Sequence, residues 1–269
     1  MDTPAPSAPG PLWDPEAIPA ATVIPLRDGP GGLEVLMLRR DKDLSFAGGM
    51  WVFPGGRIDP EDFPDGGRSD GTPTSGRSAD DLEAAARVAA LREADEEAAI
   101  ALEPATVRRW THWTPPSRPQ AEGLMSHRFT TAFFVGVAIG DTDDVTIDDG
   151  EIRAHRWVGP SEMLELHAAG EVTLAPPTFI TLTQLAGHRN PAEVLMAAPK
   201  RVDDIEHFAT RVGVIDGGWV ALYHDDVAYD GGEVDADGPR HRLHMGDRWH
   251  YERSSIDSER SSIDSERDT

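Results

Sequence analysis

The chain has 269 residues, 39% of them hydrophobic, which is enough to bury a core in one large domain or two smaller ones. Its 25 basic residues against 48 acidic ones give a formal charge of −23, a field that repels nucleic acid and anionic lipid unless a local patch or a bound cation reverses it. There is no cysteine, which excludes disulfides, thiolate metal sites and thiol nucleophiles and fits a reducing compartment.

The opening MDTPAPSAPGPLWDPEAIPA is acidic and rich in Pro and Ala, without the basic and apolar regions of a signal peptide. No window approaches 18 consecutive apolar residues. A cytoplasmic protein is expected, led by a disordered segment over residues 1–19, where Pro-dense polar sequence cannot bury enough surface to offset its ordering entropy.

Structure is expected to begin at ATVIPLRD, joined through GPGG to LEVLMLRR as a hairpin whose turn Gly31 and Gly32 supply. GGMWVFPGGRIDPED then reads as a strand broken by a Pro-Gly-Gly turn, and DFPDGGRSDGTPTSGRSAD as an exposed, flexible loop over 62–80. Ser78, with Asp81 three residues on, forms a capping pattern ahead of a stretch lacking Gly and Pro, which predicts one helix over 79–101. On it Leu82, Ala85, Ala86 and Ala89 share one side, small enough to let the helix lie close to a sheet.

HRFTTAFFVGVAI is the strongest strand signal, and EIRAHRWVG is a second. PSEMLELHAAG reads as a helix stopped by Gly170, and PPTFITLTQLAG and NPAEVLMAA as two more entered through proline. From about 200 the texture changes to hairpin-like runs around Asp-Gly-Gly, giving a β-rich extension over 199–253. SSIDSER then occurs twice, a polar tail expected to be disordered over 254–269.

The stretch ALREADEEAAI, Ala90 to Ile100, carries the chemistry. On a helix Glu93, Glu96 and Glu97 project from one strip, where like charges cost roughly 0.2–0.5 kcal/mol per pair when exposed and more when buried. Two readings follow: a solvated acidic face, or a Mg²⁺ or Mn²⁺ site, since hard cations take carboxylate oxygens and share their remaining positions with water and phosphate.

READEEAAI, with FPGGRIDPED upstream, resembles the Nudix hydrolase family, whose signature runs Gly, five residues, Glu, seven residues, then Arg-Glu-apolar-x-Glu-Glu-x-Gly-apolar. Here the arginine is displaced by about 22 residues, from position 70 to Arg92. Asp62 holds the acid position counted forward from Gly56, while counting back from Arg92 reaches Ala84 with Glu83 beside it, so the acid partner of Arg92 stays open. Ala99 replaces the family's glycine, a change that lets the helix run on. With FAGGMWVFPGGRIDPED, WTPP, HRFTTAFFVGVA and LAPPT, the interrupted box resembles the branch that includes the peroxisomal coenzyme A diphosphatases, over roughly residues 20–190.

The resemblance implies a Nudix α/β/α sandwich with a mixed sheet over 20–198, extended by the C-terminal β-containing segment. It implies a Mg²⁺- or Mn²⁺-dependent hydrolase in which water attacks one phosphorus of a nucleoside diphosphate derivative. Glu93 and Glu97 are the implied metal ligands, Glu96 a further ligand or the general base, and Arg92 the residue that orients them. Glu151 is a candidate acid from outside the box. Gly55 and Gly56 would let backbone approach metal or phosphate, and Arg40 and Arg57, with Arg39 and Arg128, are candidate phosphate contacts. Coenzyme A or an acyl-CoA heads the implied substrates; ADP-ribose, NADH or a nucleotide sugar is the same-class alternative, and a catalytically silent nucleotide-sensing module the alternative of another class. Neither nucleic acid nor membrane is an expected partner, and a homodimer is compatible with the sequence.

Overall fold

The computed structural model describes residues 10–44, 47–66, 77–117, 127–143, 145–147, 150–215 and 218–254. They divide into two compact units, one spanning Pro9–Ala209 and the other formed from Thr210 onward. The expected flexibility of the insertion falls mainly on 67–76, and that of the repeat tail on 255–269, both outside the described residues.

The first unit is organised by a mixed sheet. Strands β1 (Ile18–Gly29) and β2 (Gly32–Arg40) form the predicted hairpin, with Gly29 opposite Gly32 and Leu26 opposite Val35. Gly32 sits at φ +113°, where only glycine is unstrained. Beyond Leu26 the two strands separate, and the gap is filled by β3 (Trp51–Val52) on β2 and β4 (Gly55–Arg57) on β1. The Phe53-Pro54 step between these short strands carries the chain across, with the Val23 N–H donating to the Pro54 carbonyl at 2.9 Å. The Pro-Gly-Gly turn is thus wedged into the sheet itself rather than hung from its edge.

The other edge of β1 pairs in parallel with β7 (Phe129–Ile139), the strongest predicted strand. β7 receives β5 (Ala101–Leu102) and β6 (Arg108–Thr114), and β8 (Ile152–Val158) covers the free edge of β2. β9 (Glu206–Ala209) closes the far side by pairing in parallel with β6, Thr111 opposite Glu206. The main sheet therefore draws on residues beyond 198, the expected domain end, because Phe208 is fully buried and stacks on Trp113 at 4.0 Å.

Helix α1 (Ala79–Ala98) covers one face. Ser78 and Asp81 make the expected capping box: the Asp81 N–H donates to Ser78 Oγ at 3.1 Å, and the Ser78 N–H returns to Asp81 Oδ2 at 3.3 Å. Leu82 and a row of alanines from Ala85 to Ala98 pack against Ala21, Val23, Ala132 and Phe134, and absence of bulk on the helix allows the close approach. The helix does not run on at Ala99. That residue takes a left-handed conformation, φ 51° and ψ 33°, and its N–H donates back to the Asp95 carbonyl at 2.8 Å, so alanine adopts the glycine geometry of a helix stop.

The three predicted short helices are α2 (Pro160–Ala168), α3 (Pro176–Leu185) and α4 (Pro191–Ala197). α2 packs on α3 and β2, while α4 lies against β1 and β7, which gives the sandwich its third layer.

The lead-in expected to be disordered is ordered from residue 10 on. Trp13 packs edge-to-face on His112 at 4.8 Å, Asp14 pairs with Arg128 at 2.6 Å, and the Leu12 carbonyl accepts from Thr130 Oγ1 at 2.9 Å. One tryptophan and two polar contacts offset the ordering entropy that the Pro-rich composition alone could not.

The second unit is a four-stranded antiparallel sheet in the order β10 (Arg211–Ile215), β11 (Gly218–Leu222), β12 (His241–Met245) and β13 (Trp249–Arg253), as the hairpin-like texture implied. Between β11 and β12, Asp226 is fully enclosed and bound by Arg242 through two bonds of 2.6 and 2.5 Å and by the backbone N–H groups of Ala228 and His241, each at 2.9 Å. Among the described residues no helix is long and apolar enough to cross a membrane.

Candidate active site on the wedge between β1 and β2

The C-terminal half of α1 lies over the wedged turn, and the two glycines decide how closely. The Gly55 N–H donates to Glu97 Oε2 at 3.0 Å. At Gly56 a methyl group would come within 2.3 Å of Glu93 Oε1, so only glycine leaves room for that carboxylate. Glu93 and Glu97 are consequently enclosed, with 12% and 13% of their side chains exposed, while Glu96 faces outward at 58%.

Arg92 ties the group together. Its Nε donates to Asp62 Oδ1 at 3.0 Å and Nη2 to Asp62 Oδ2 at 2.9 Å; Nη1 reaches Glu93 Oε1 and Glu96 Oε2, each at 2.9 Å, and Nη2 also meets the Arg57 carbonyl at 3.1 Å. Hydrogen bonding to Asp62, against the opposing effect of burial, raises the affinity of this guanidinium for its proton above the ordinary value. Asp62 is fixed in turn, its Oδ2 accepting from the Asp59 N–H at 2.8 Å in the short 3-10 turn Pro60–Asp62. This resolves the open question of Arg92's partner. Glu83 is engaged elsewhere, paired with buried Arg109 at 3.0 Å, so the acid counted forward from the glycine serves Arg92 and the interruption falls after it.

The interruption is also closed at its neck. Arg77 pairs with Asp65 at 2.7 Å and places its guanidinium 4.2 Å from the centre of the Phe63 ring.

A second arginine bridges from β2. Arg40 Nη2 donates to Glu151 Oε2 at 2.8 Å, and its Nη1 lies 3.8 Å from Glu97 Oε1. The structure therefore links Glu151 to the cluster through an arginine expected to meet phosphate. Arg40 Nε is buried without a hydrogen-bond partner among the described residues. Arg57 contributes its carbonyl to Arg92, and Arg128, just ahead of β7, is occupied with Asp14. Trp51 and Phe53 are buried in the core.

Burial pushes Glu97 up to about 7; the Gly55 N–H opposes this, Glu93 and Glu151 add to it, and Arg40 counters. Glu93 is also raised, chiefly by burial and against the pull of Arg92. Two enclosed carboxylates thus face each other with less positive charge than they require. Among the described residues no three Asp, Glu or His side chains are gathered as a cage for a metal, and Arg92 and Arg40 pair with the glutamates instead. The donor set is nevertheless all carboxylate oxygen, and glycine at position 56 lets the Glu93 carboxylate lie directly against the turn, so the residues suit a hard divalent cation.

The protein is thus an α/β/α scaffold that presents helix-borne carboxylates against a backbone turn wedged into its sheet. The NUDIX domain family model matches residues 17–176, more than half of the chain, and the chain belongs to the Nudix family of hydrolases. Over 79 residues it is 32% identical to the acyl-coenzyme A diphosphatase NUDT19 of Xenopus laevis and, over a stretch of the same length, 30% identical to that of Gallus gallus. Each match covers 29% of this chain and 20% of the relative, so it spans about a fifth of the curated relatives' length. Among solved structures, a NUDIX hydrolase from Alicyclobacillus acidocaldarius superposes with a TM-score of 0.52 at 28% identity, covering 68% of this chain and 96% of that one. Nudix enzymes generally use divalent metals such as Mg²⁺.

Proposed function

We propose that the protein is a Mg²⁺- or Mn²⁺-dependent diphosphatase that hydrolyses a nucleoside diphosphate-linked small molecule, with coenzyme A or an acyl-CoA as the leading substrate. The observation that carries this reading is the Arg92 network, which holds Glu93, packed against Gly56, and Glu96 in place while the Gly55 N–H holds Glu97. Glu93 and Glu97 would bind the cation, and Glu96, open to solvent, supplies a third oxygen or takes the proton of the attacking water. A bound divalent cation neutralises charge on the diphosphate and lowers the pKa of water. Water oxygen bonds to one phosphorus as the P–O–P linkage breaks, and the leaving phosphate carries the electron pair. From coenzyme A this gives a phosphorylated adenosine nucleotide and a phosphopantetheine. The acyl-CoA preference is supported by the similarity to the acyl-coenzyme A diphosphatases and by the interrupted box.

The test is a panel of coenzyme A, acetyl-CoA, ADP-ribose, NADH and a nucleotide sugar with Mg²⁺, comparing wild type with Glu97→Gln. We expect turnover lost on chelation by EDTA and reduced about 10²-fold or more by the substitution. A wild type inert toward every member, or a variant as fast as wild type, would overturn the reading. A preference for ADP-ribose over coenzyme A would retain the hydrolase and replace its substrate.

A further inference from the structure

A second constellation lies at the other end of α1. The N-terminal half of that helix, β6 and residues 199–205 line an open cleft of about 450 Å³. In a chain of net charge −23, five cations line it, Arg87, Arg108, Arg109, Lys200 and Arg201, against only Asp80 and Glu83. Arg109 is neutralised by Glu83 at 3.0 Å, and Arg201 reaches Asp203 at 3.2 Å.

Among the described residues Arg87 and Arg108 have no such ion pair. Arg87 Nη1 and Arg108 Nη1 both donate to the Val107 carbonyl, at 2.5 and 3.1 Å, so two guanidinium groups sit side by side on one oxygen. Their remaining bonds also go to backbone carbonyls, Pro104 for Arg87 and Ala105 for Arg108. Burial, and then Arg108, hold Arg87 below its ordinary proton affinity, with only Glu83 opposing from a distance. Like charges paired in this way are relieved by an anion, and guanidinium forks match phosphate oxygens. The rest of the wall is apolar: Val107 and Ile205 are buried, and Val202 stands 53% exposed at the rim. From Arg87 to Glu97 is ten residues of helix, roughly 15 Å at 1.5 Å per residue, which separates this cleft from the carboxylate cluster.

We propose that this cleft binds a phosphate monoester carrying an apolar group, its phosphate held by Arg87, Arg108 and Lys200 and its organic part against Val107, Val202 and Ile205. The site is independent of the hydrolytic one.

The experiment titrates full-length protein, in EDTA and at constant ionic strength set with chloride, with inorganic phosphate and with phenyl phosphate. Calorimetry gives the affinity, and NMR of the arginine side chains locates the binding. Saturable one-to-one binding is expected, several-fold tighter for phenyl phosphate, weakened about tenfold or more by Arg108→Glu or Lys200→Glu. Glu97→Gln should leave it unchanged, which separates failure here from failure of the hydrolase reading. Absence of saturable binding, or wild-type affinity in both charge-reversal variants, overturns the site; equal affinity for the two probes overturns the role of the apolar wall. Should Arg108→Glu fail to fold, Lys200→Glu carries the test, because among the described residues that side chain makes no hydrogen bond or ion pair.

Discussion

Arg92 grips Asp62 through two parallel hydrogen bonds, Nε to Oδ1 at 3.0 Å and Nη2 to Oδ2 at 2.9 Å, across 30 residues of chain. The Asp62 side chain is 2% exposed and that of Arg92 25%. Taking away the acid would strand a guanidinium that also positions Glu93 and Glu96. Asp62→Ala is expected to lower unfolding stability by about 3 kcal/mol in urea titration and to reduce turnover with it. A loss below about 1 kcal/mol would show that the pair does not hold the box together.

Gly56→Ala probes the cradle without removing a charged group. The new methyl group must displace the Glu93 carboxylate, and a shift of about 1 Å in a reacting assembly costs on the order of 10²-fold in rate. Circular dichroism should report a retained fold while Mg²⁺-dependent turnover falls by that amount; full activity would place Glu93 outside the reaction.

Ala99→Gly should stabilise the protein by about 1 kcal/mol, since alanine now bears the cost of the left-handed conformation at the end of α1. Thermal melting would register an upward shift. A downward shift would mean that unfolded-state entropy outweighs the relief of strain at this position.

The C-terminal sheet should weaken in acid in two stages. Burial pushes His241 down to about 4; Arg253 adds to this, and the His224 carbonyl, which accepts from Nδ1 at 2.6 Å, opposes it. A histidine depressed in the fold binds protons more readily once unfolded, so its contribution is complete above about 6.5 and is lost as pH falls toward 4, on the order of 3 kcal/mol in all. For Asp226 burial acts upward, but Arg242 and two backbone N–H groups hold it below the usual carboxylate range, so its contribution disappears only at still lower pH. Hydrogen exchange of the β12 amides from pH 7 to 3 would show both steps, and protection independent of pH would refute them.

Helix α1 and its cap, the β1–β2 hairpin, β7 and the three proline-led helices were legible because each rests on local rules: periodicity, capping residues and turn glycines. β6 was not. Its Arg109 and His112 are buried, and no period-two pattern marks a strand whose interior holds a guanidinium and an imidazole. Arg109 satisfies itself on the carbonyls of Thr111 and Phe133, on Glu83 and on His112 Nδ1, while His112 Nε2 turns to Thr130 Oγ1 at 2.8 Å. These partners come from distant segments. In the candidate site the three glutamates and the two glycines were visible in the motif, whereas the choice of Asp62 over Glu83 depended on which arginine each acid faces in three dimensions. The bridging of Glu97 and Glu151 by Arg40 is likewise a product of β2 passing over both.

The fastening at Asp65–Arg77 and Asp62–Arg92 gives the interruption the character of an exchangeable cassette. With both ends tied to the scaffold, lengthening the intervening chain adds little strain to what lies outside it; each doubling costs only about 0.6 kcal/mol in closure entropy. A lineage could therefore rewrite the residues between those clasps, in length and composition, while the glutamate-bearing helix kept its register over the Pro-Gly-Gly wedge. Diversity would accumulate beside the chemistry without passing through it.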